Sequence, residues 1–121
     1  MPGGGETFSG TFESKEGAFG TVTLEVAAGG ENLAVLRVDL DFAGFKCGPL
    51  EINGVTFDDP LEKRRVDIGD DGSFAAKLSY LFDLQGGFES ATLASGEIRG
   101  EWRAGNESCP WGPSPWSAAS G

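Results

Sequence analysis

Residues 72–104 read GSFAAKLSYLFDLQGGFESATLASGEIRGEWRA, and this stretch decides the fold. Apolar side chains recur at every second position from Phe74 to Leu84, with Ala75, Lys77, Ser79 and Asp83 at four of the five positions between them. The same rhythm returns after a break at Gln85-Gly86-Gly87 and continues to Trp102. A period of two is typical of β-strands that bury one face and expose the other. The stretch therefore predicts a β-hairpin, or three strands in succession, that carries much of the core.

Similar alternation precedes this stretch. It predicts strands over Glu6–Ser14, Phe19–Ala27 and Leu33–Ala43, and the pair Asn53-Gly54 between short apolar segments predicts a hairpin turn. We expect seven to nine short strands, which are too many for one flat sheet. The predicted fold is an all-β antiparallel sandwich, with a closed β-barrel as the alternative.

The chain length of 121 residues fits a single domain. We expect residues 1–5 to form a flexible tail, residues 6–118 the domain and residues 119–121 a second short tail. The first residues lack the basic and apolar regions of a signal peptide, so either the protein is cytoplasmic or a leader has been removed. No apolar run approaches the roughly 20 residues of a membrane span, and membrane insertion is not expected.

The charge balance limits the partners and the chemistry. The formal net charge of −10 argues against nucleic acid and against anionic membrane surfaces, and its simplest consequence is solubility. The chain contains no histidine, which excludes Ser-His-Asp and Cys-His nucleophile systems and His-ligated zinc within one chain. We predict no catalytic residue, no cofactor and a function that is not enzymatic.

A carboxylate cluster is a weak metal candidate. Asp67, Asp70 and Asp71 surround a turn that contains Gly69 and Gly72. Calcium takes six to eight oxygen ligands, and the spacing does not match the usual calcium-binding loop. An Asp-Gly hairpin turn explains the same residues and is the preferred interpretation.

Two charged segments are interpreted as solvated. Glu97, Arg99, Glu101 and Arg103 alternate along one strand face. Glu97 and Glu101 could form the carboxylate pair of a glycosidase, but the arginines beside them favour a solvent-exposed face. Lys63-Arg64-Arg65 is the only basic run, and we expect an exposed edge or loop that could meet an acidic patch of another copy.

The segment Cys109–Trp116, with sequence CPWGPSPW, is the best binding candidate. Prolines reduce the entropy lost on binding, and tryptophans offer flat faces that stack on sugars or on a partner's side chains. The candidate binding residues are Trp111, Trp116, Asn106 and Glu107. The alternative is that Trp116 belongs to the core and that Trp111 covers one end of the sandwich.

Several short motifs together resemble a known type of domain. They are FSGTF at residues 8–12, FKCG at residues 45–48, GGFESATLASG at residues 86–96, and Cys109 followed by WSA at residues 116–118. This order is similar to that of small β-sandwich domains found singly or in tandem in secreted bacterial proteins, a family with no known activity. The segments EIRGEWRA and CPWGPSPW depart from the pattern, which has small polar residues and a Gly/Ser-rich turn there.

The resemblance implies an exported protein with a disulfide between Cys47 and Cys109, because paired cysteines are usual in oxidising compartments. The alternative is two free thiols in a cytoplasmic protein. With the resemblance, we predict a structural, adhesion-like or assembly module of an exported prokaryotic protein, located outside the cell or in the envelope. The expected partner is another protein or a second copy rather than a small molecule. The alternative function is a carbohydrate-binding module that uses the Trp/Pro-rich segment.

Overall fold

The fold is an antiparallel sheet of nine strands, seen in a computed structural model that describes residues 5–47, 49–54, 61–79, 82–104 and 107–120. Within these ranges the side chains of residues 47, 50, 52, 54, 61, 78, 79, 102–104 and 107 are not described. The strands are β1 (Thr7–Glu13), β2 (Ala18–Val26), β3 (Asn32–Cys47), β4 (Leu50–Gly54), β5 (Leu61–Asp67), β6 (Ser73–Ser79), β7 (Phe82–Phe88), β8 (Leu93–Ala104) and β9 (Glu107–Ser120).

The strand order makes the sheet nearly closed. Neighbouring strands follow the order β4-β3-β2-β1-β9-β8-β7-β6, and β5 pairs with β3. Strand β3 is long enough to carry two partners on one edge, β5 along its first half and β4 along its second. Strand β5 also lies near β6, the last strand of the order, so the sheet curls round until its two ends are close together without pairing. The all-β prediction is confirmed, and of the two predicted architectures the barrel alternative fits this curled sheet.

The inward face of the sheet forms one hydrophobic core. The alternation read from the sequence is kept, since Phe74, Phe82 and Leu84 are all buried. The other large buried side chains are Phe8, Phe12, Val22, Leu24, Val26, Leu33, Leu36, Val38, Leu40, Phe42, Phe45, Val66, Ile98, Trp111 and Trp116. Burying such side chains contributes roughly 1.5–3 kcal/mol each before the entropy of ordering the chain is subtracted.

The predicted break at Gln85-Gly86-Gly87 is wrong. These residues lie inside β7 and pair with both β6 and β8. A side chain at Gly86 would come within 2.5 Å of the Trp116 ring and of the Ser95 carbonyl oxygen. Glycine is therefore required by close packing against the indole, and not by a turn.

The Asn53-Gly54 hairpin turn is also not formed. Both residues belong to β4, and Gly54 pairs with Phe42 of β3. The Asn53 side-chain oxygen accepts a hydrogen bond from the Gly44 amide at 2.8 Å. The Asn53 side chain therefore stabilises the pairing of β4 with β3 rather than a turn. The second arm of the predicted hairpin, residues 55–57, lies outside the described residues.

The C-terminal tail predicted at residues 119–121 is strand at residues 119 and 120, and residue 121 lies outside the described residues. Ala119 and Ser120 continue β9 and pair with Ser9 and Phe8 of β1. Because Ala118 is buried and β9 has partners on both edges at this point, the small side chains extend the sheet rather than leave it. At the other end, the Gly5 amide donates to the Val26 carbonyl, and residues 1–4 lie outside the described residues.

Candidate binding surfaces

The two candidate tryptophans lie in the core. Trp111 and Trp116 are 1% and 2% exposed. The Trp111 ring stacks on Phe12 with centroids 6.0 Å apart and planes at 9°, while Trp116 donates from Nε1 to the Gln85 carbonyl at 3.2 Å. This corrects the expectation of an exposed aromatic binding segment, because neither indole presents a face to solvent. Asn106 and the Glu107 side chain lie outside the described part of the chain.

The proline-rich segment can form a strand because this part of β9 pairs with a neighbouring strand on one edge only. From Glu107 to Pro115, β9 pairs with β8, whereas its ladder with β1 begins at Trp116. Proline lacks the N–H group that a ladder needs and is tolerated where one strand edge is unpaired. Pro110, Pro113 and Pro115 all fall in this part and are exposed.

Strand β9 bulges at Gly112-Pro113, where the peptide bond is cis and Gly112 has a φ of 84°. The register with β8 shifts between Ile98 and Gly100 at the same point. On the other side, the Gly112 amide donates to Glu16 Oε1 at 3.0 Å, and the buried Ser114 hydroxyl donates to the Glu13 carbonyl at 2.8 Å. These two hydrogen bonds fix the bulge, so Pro113 projects from the outer face in a defined position.

The three candidate metal ligands do not come together. Asp67, Asp70 and Asp71 are exposed, and within the described ranges no group of three or more carboxylates or cysteines is placed to hold a metal ion. Asp71 instead accepts hydrogen bonds from the Ser73 hydroxyl at 2.6 Å and the Ser73 amide at 3.0 Å. The hydroxyl contact, and then the amide contact, lower the pKa of Asp71 from its ordinary value of 3.8. This carboxylate stabilises the turn before β6.

The cysteines are described only in part. Cys109 is partly buried against the core, and no cysteine with a described side chain is free. Cys47 ends β3, and its side chain lies outside those described. The Cys47–Cys109 disulfide therefore stays a prediction.

The two ends of the sheet, β5 and β6, face each other across what we call the seam. In an antiparallel ladder every second residue bonds to the neighbouring strand, and the residues between them point the other way. The Phe88 amide donates to the Gly72 carbonyl, so Gly72 bonds toward β7 and Ser73, which pairs with Gly87, does not. The backbone groups of Ala75 and Lys77 therefore also point away from β7, toward the seam. No ladder joins β5 to β6 in the described ranges.

The basic run lines the other side of the seam. The Ile68 amide donates to the Glu31 carbonyl, so every second residue of β5 from there, including Val66 and Arg64, bonds toward β3. The backbone groups of Lys63 and Arg65 therefore point away from β3. The side chains of Lys63, Arg64 and Arg65 are exposed, as the sequence predicted for an edge or loop. Arg65 has a φ of 59°, which is uncommon for a residue with a side chain.

A groove with both polar and apolar lining lies on the outer face of β6, β7 and β8. It has a volume of about 560 Å³, and its wall includes Pro113 of the bulge. The lining polar side chains are Lys77, Asp83, Gln85, Glu97 and Arg99. A second groove of about 550 Å³ adjoins it and shares Ala75, Gln85 and Glu97. We call the two together the outer groove.

Sequence reasoning placed Glu97 and Arg99 on an exposed face but missed the groove. The signal was present in the alternation, since Lys77, Asp83 and Gln85 share the outward parity of their strands. What the sequence does not contain is the pairing of β6 with β7 and β8, which brings these residues side by side.

The structure contains no helix, among the residues it describes, with the length and apolar character to cross a membrane. Comparisons with protein-family models, with curated proteins and with solved structures found no match.

Proposed function

We propose that the protein is a non-enzymatic structural, adhesion-like or assembly module that joins other protein chains, or copies of itself, through the strand edges at the seam. The supporting observation is that Ala75 and Lys77 of β6 direct backbone hydrogen-bonding groups away from β7. Unpaired strand edges are templates for pairing with another strand. The unpaired edge of β6 begins after Ser73, because the Ser73 amide already donates to the Asp71 carboxylate and the Ser73 carbonyl accepts from the Gly69 amide.

Charge supports association of one copy with another. The two strands at the seam carry four basic side chains, Lys63, Arg64, Arg65 and Lys77, and two acidic ones, Glu62 and Asp67. Glu62 pairs with Arg64 at 3.1 Å. The seam is therefore weakly basic, whereas the whole chain has a net charge of −10. A second acidic copy is therefore attracted to this basic region, and the attraction weakens with added salt.

Oligomeric state tests the proposal. Light scattering coupled to gel filtration, from micromolar to millimolar protein, should show self-association that increases with concentration. Ala75→Pro removes one N–H at the seam and should abolish it, whereas Ala75→Ser keeps the N–H and should associate like the wild type. A wild type that stays monomeric throughout, or a proline variant that associates equally well, would contradict the role of this edge.

Export and the disulfide form the second part of the proposal. We place the module outside the cell or in the envelope of a prokaryote, with Cys47 bonded to Cys109; a chain with free cysteines would instead be cytoplasmic. The resemblance to secreted bacterial domains supports this, as does the absence of a free thiol at Cys109. Closing a loop of this length contributes roughly 4 kcal/mol in the chain-entropy model.

Intact mass after alkylation, with and without prior reduction, tests the pairing. Unreduced protein from an oxidising compartment should take up no label, and reduced protein should take up two. Labelling of both cysteines in unreduced, natively exported material would overturn the disulfide.

A further inference from the structure

We propose that the outer groove binds a neutral oligosaccharide. The groove and the seam share Ala75 and Lys77, but the groove uses the outer face of the sheet and needs no second chain, whereas the seam uses the backbone edge of β6. The groove also differs from the carbohydrate site expected at Trp111 and Trp116, whose rings are buried.

The shape of the groove follows from small residues beside a raised wall. Ala75 lies opposite Gln85 of β7, which lies opposite Glu97 of β8, so a short side chain begins this row. In the adjoining part the backbone of Gly86 and Gly96 lines the groove, and Ser73 carries only a small side chain. On the far side the bulge raises Pro113. A volume of about 560 Å³ is within the usual range of sites for small ligands.

Charged side chains of both signs line the groove. Lys77 and Arg99 are opposed by Asp83 and Glu97, and Asp67 lines the adjoining part. Asp83 lies directly between Lys77 and Arg99 in the register. A ligand of either charge would therefore meet side chains of its own sign, whereas a neutral ligand gives up no favourable ionic contact.

The polar atoms of the groove suit hydroxyl groups. Each sugar hydroxyl both donates and accepts, so it can donate to the carboxylates of Asp83 and Glu97 and accept from Arg99. Gln85 offers a donor and an acceptor in one group. The existing ion pair is loose, with Arg99 Nε 3.7 Å from Asp83 Oδ2, and the two side chains are 68% and 46% exposed. Such a pair rearranges around a ligand at little cost.

An apolar ligand fits poorly, because it would remove these charged side chains from water without giving them hydrogen bonds. An extended peptide is the competing occupant, and it serves as the second arm of the test.

The experiment is an amide chemical-shift titration of the full chain with cellohexaose, xylohexaose, maltohexaose and chitohexaose at millimolar concentration. At least one sugar should cause saturable shifts centred on Ala75, Gln85 and Glu97. Glu97→Ala should lower the affinity for that sugar by about tenfold or more, because a charge-assisted hydrogen bond is lost. Glu25→Ala, on the exposed face of β2, is the matched control and should leave affinity unchanged.

No saturable shift with any of the four sugars overturns the inference, as does equal affinity of the Glu97 variant. Shifts caused by an unrelated extended peptide of balanced charge, but by no sugar, would assign the groove to a peptide and equally refute it. Failure of self-association with sugar binding intact would reject the seam proposal alone.

Discussion

Removal of the Trp111 ring should destabilise the protein more than any exposed substitution. The indole is 1% exposed, lies parallel to Phe12 at a centroid distance of 6.0 Å, and meets Phe82 at the same distance with planes at 48°. Truncating a buried aromatic residue to alanine costs about 3–5 kcal/mol, from lost transfer free energy and the cavity left behind. Against a typical unfolding free energy of about 5–15 kcal/mol, Trp111→Ala should lose about a fifth of the total or more.

Trp111→Phe separates packing from polarity. The Trp111 Nε1–H group is buried without a hydrogen-bond partner. An unsatisfied buried donor costs about 1–3 kcal/mol, and phenylalanine removes this cost while it loses part of the ring contact. Because these effects oppose each other, we expect the phenylalanine variant to lose less than about 2 kcal/mol.

Urea unfolding followed by far-ultraviolet circular dichroism measures both variants. An alanine variant that loses less than about 1 kcal/mol would show that the ring does not belong to the core, since exposed substitutions usually stay within about 0.5 kcal/mol. A phenylalanine variant as unstable as the alanine variant would show that the N–H group is not the cost assigned to it.

Three further substitutions test local features. Gly86→Ala should cost about 1–3 kcal/mol in urea unfolding through contact with the neighbouring indole, whereas Gly29→Ala, with open space around it, should cost nothing; equal losses would refute the packing argument. Ser73→Ala should raise the pKa of Asp71 toward 3.8 in an NMR titration. Because this pKa is lowered in the folded state, its stabilising contribution is present above pH 3.8 and lost as the pH falls through the folded value, and an unchanged titration would contradict the hydroxyl contact. Ser114→Ala should cost about 1 kcal/mol, from the hydrogen bond to the backbone of β1, and a neutral result would show that this bond does not hold the bulge.

The alternation of apolar residues predicted the buried face well. It did so because a period of two is set by the backbone itself and does not depend on which strands are neighbours. Phe74, Phe82 and Leu84 are buried as expected, although β6 and β7 are separate strands and were read as one. Even-numbered residues face the core in both strands because the register between β6 and β7 shifts by one residue between Lys77 and Ser79.

The roles of glycine, asparagine and tryptophan could not be predicted in the same way. Gly86 and Asn53 carry the local signals of turns, yet their places are decided by the Trp116 ring and by the Gly44 amide. Trp111 stands among prolines, which are typical of loops, and only the partial pairing of β9 makes a strand possible there. Each of these outcomes depends on a contact distant in sequence.

The outer groove was beyond prediction for the same reason. Lys77, Asp83 and Arg99 are separated along the chain, and only the register of β6, β7 and β8 aligns them. The alternation of the sequence predicts that each of these residues is exposed. That they lie side by side depends on which strands are neighbours, and the sequence does not show this. The exposed face of a strand can thus be predicted from the sequence, whereas a site formed by several strands cannot.

The pairing of β1 with β9 has a consequence for how the protein is made. Strands β1 to β3 form one meander and β6 to β9 another, and the ladder from Phe8–Ser120 to Phe12–Trp116 joins them. During synthesis the first meander therefore keeps one hydrogen-bonding edge bare until residues 116–120 have been translated. The two halves can close around a common interior only when β9 has left the ribosome, so co-translational folding of the first half depends on a strand more than 100 residues away.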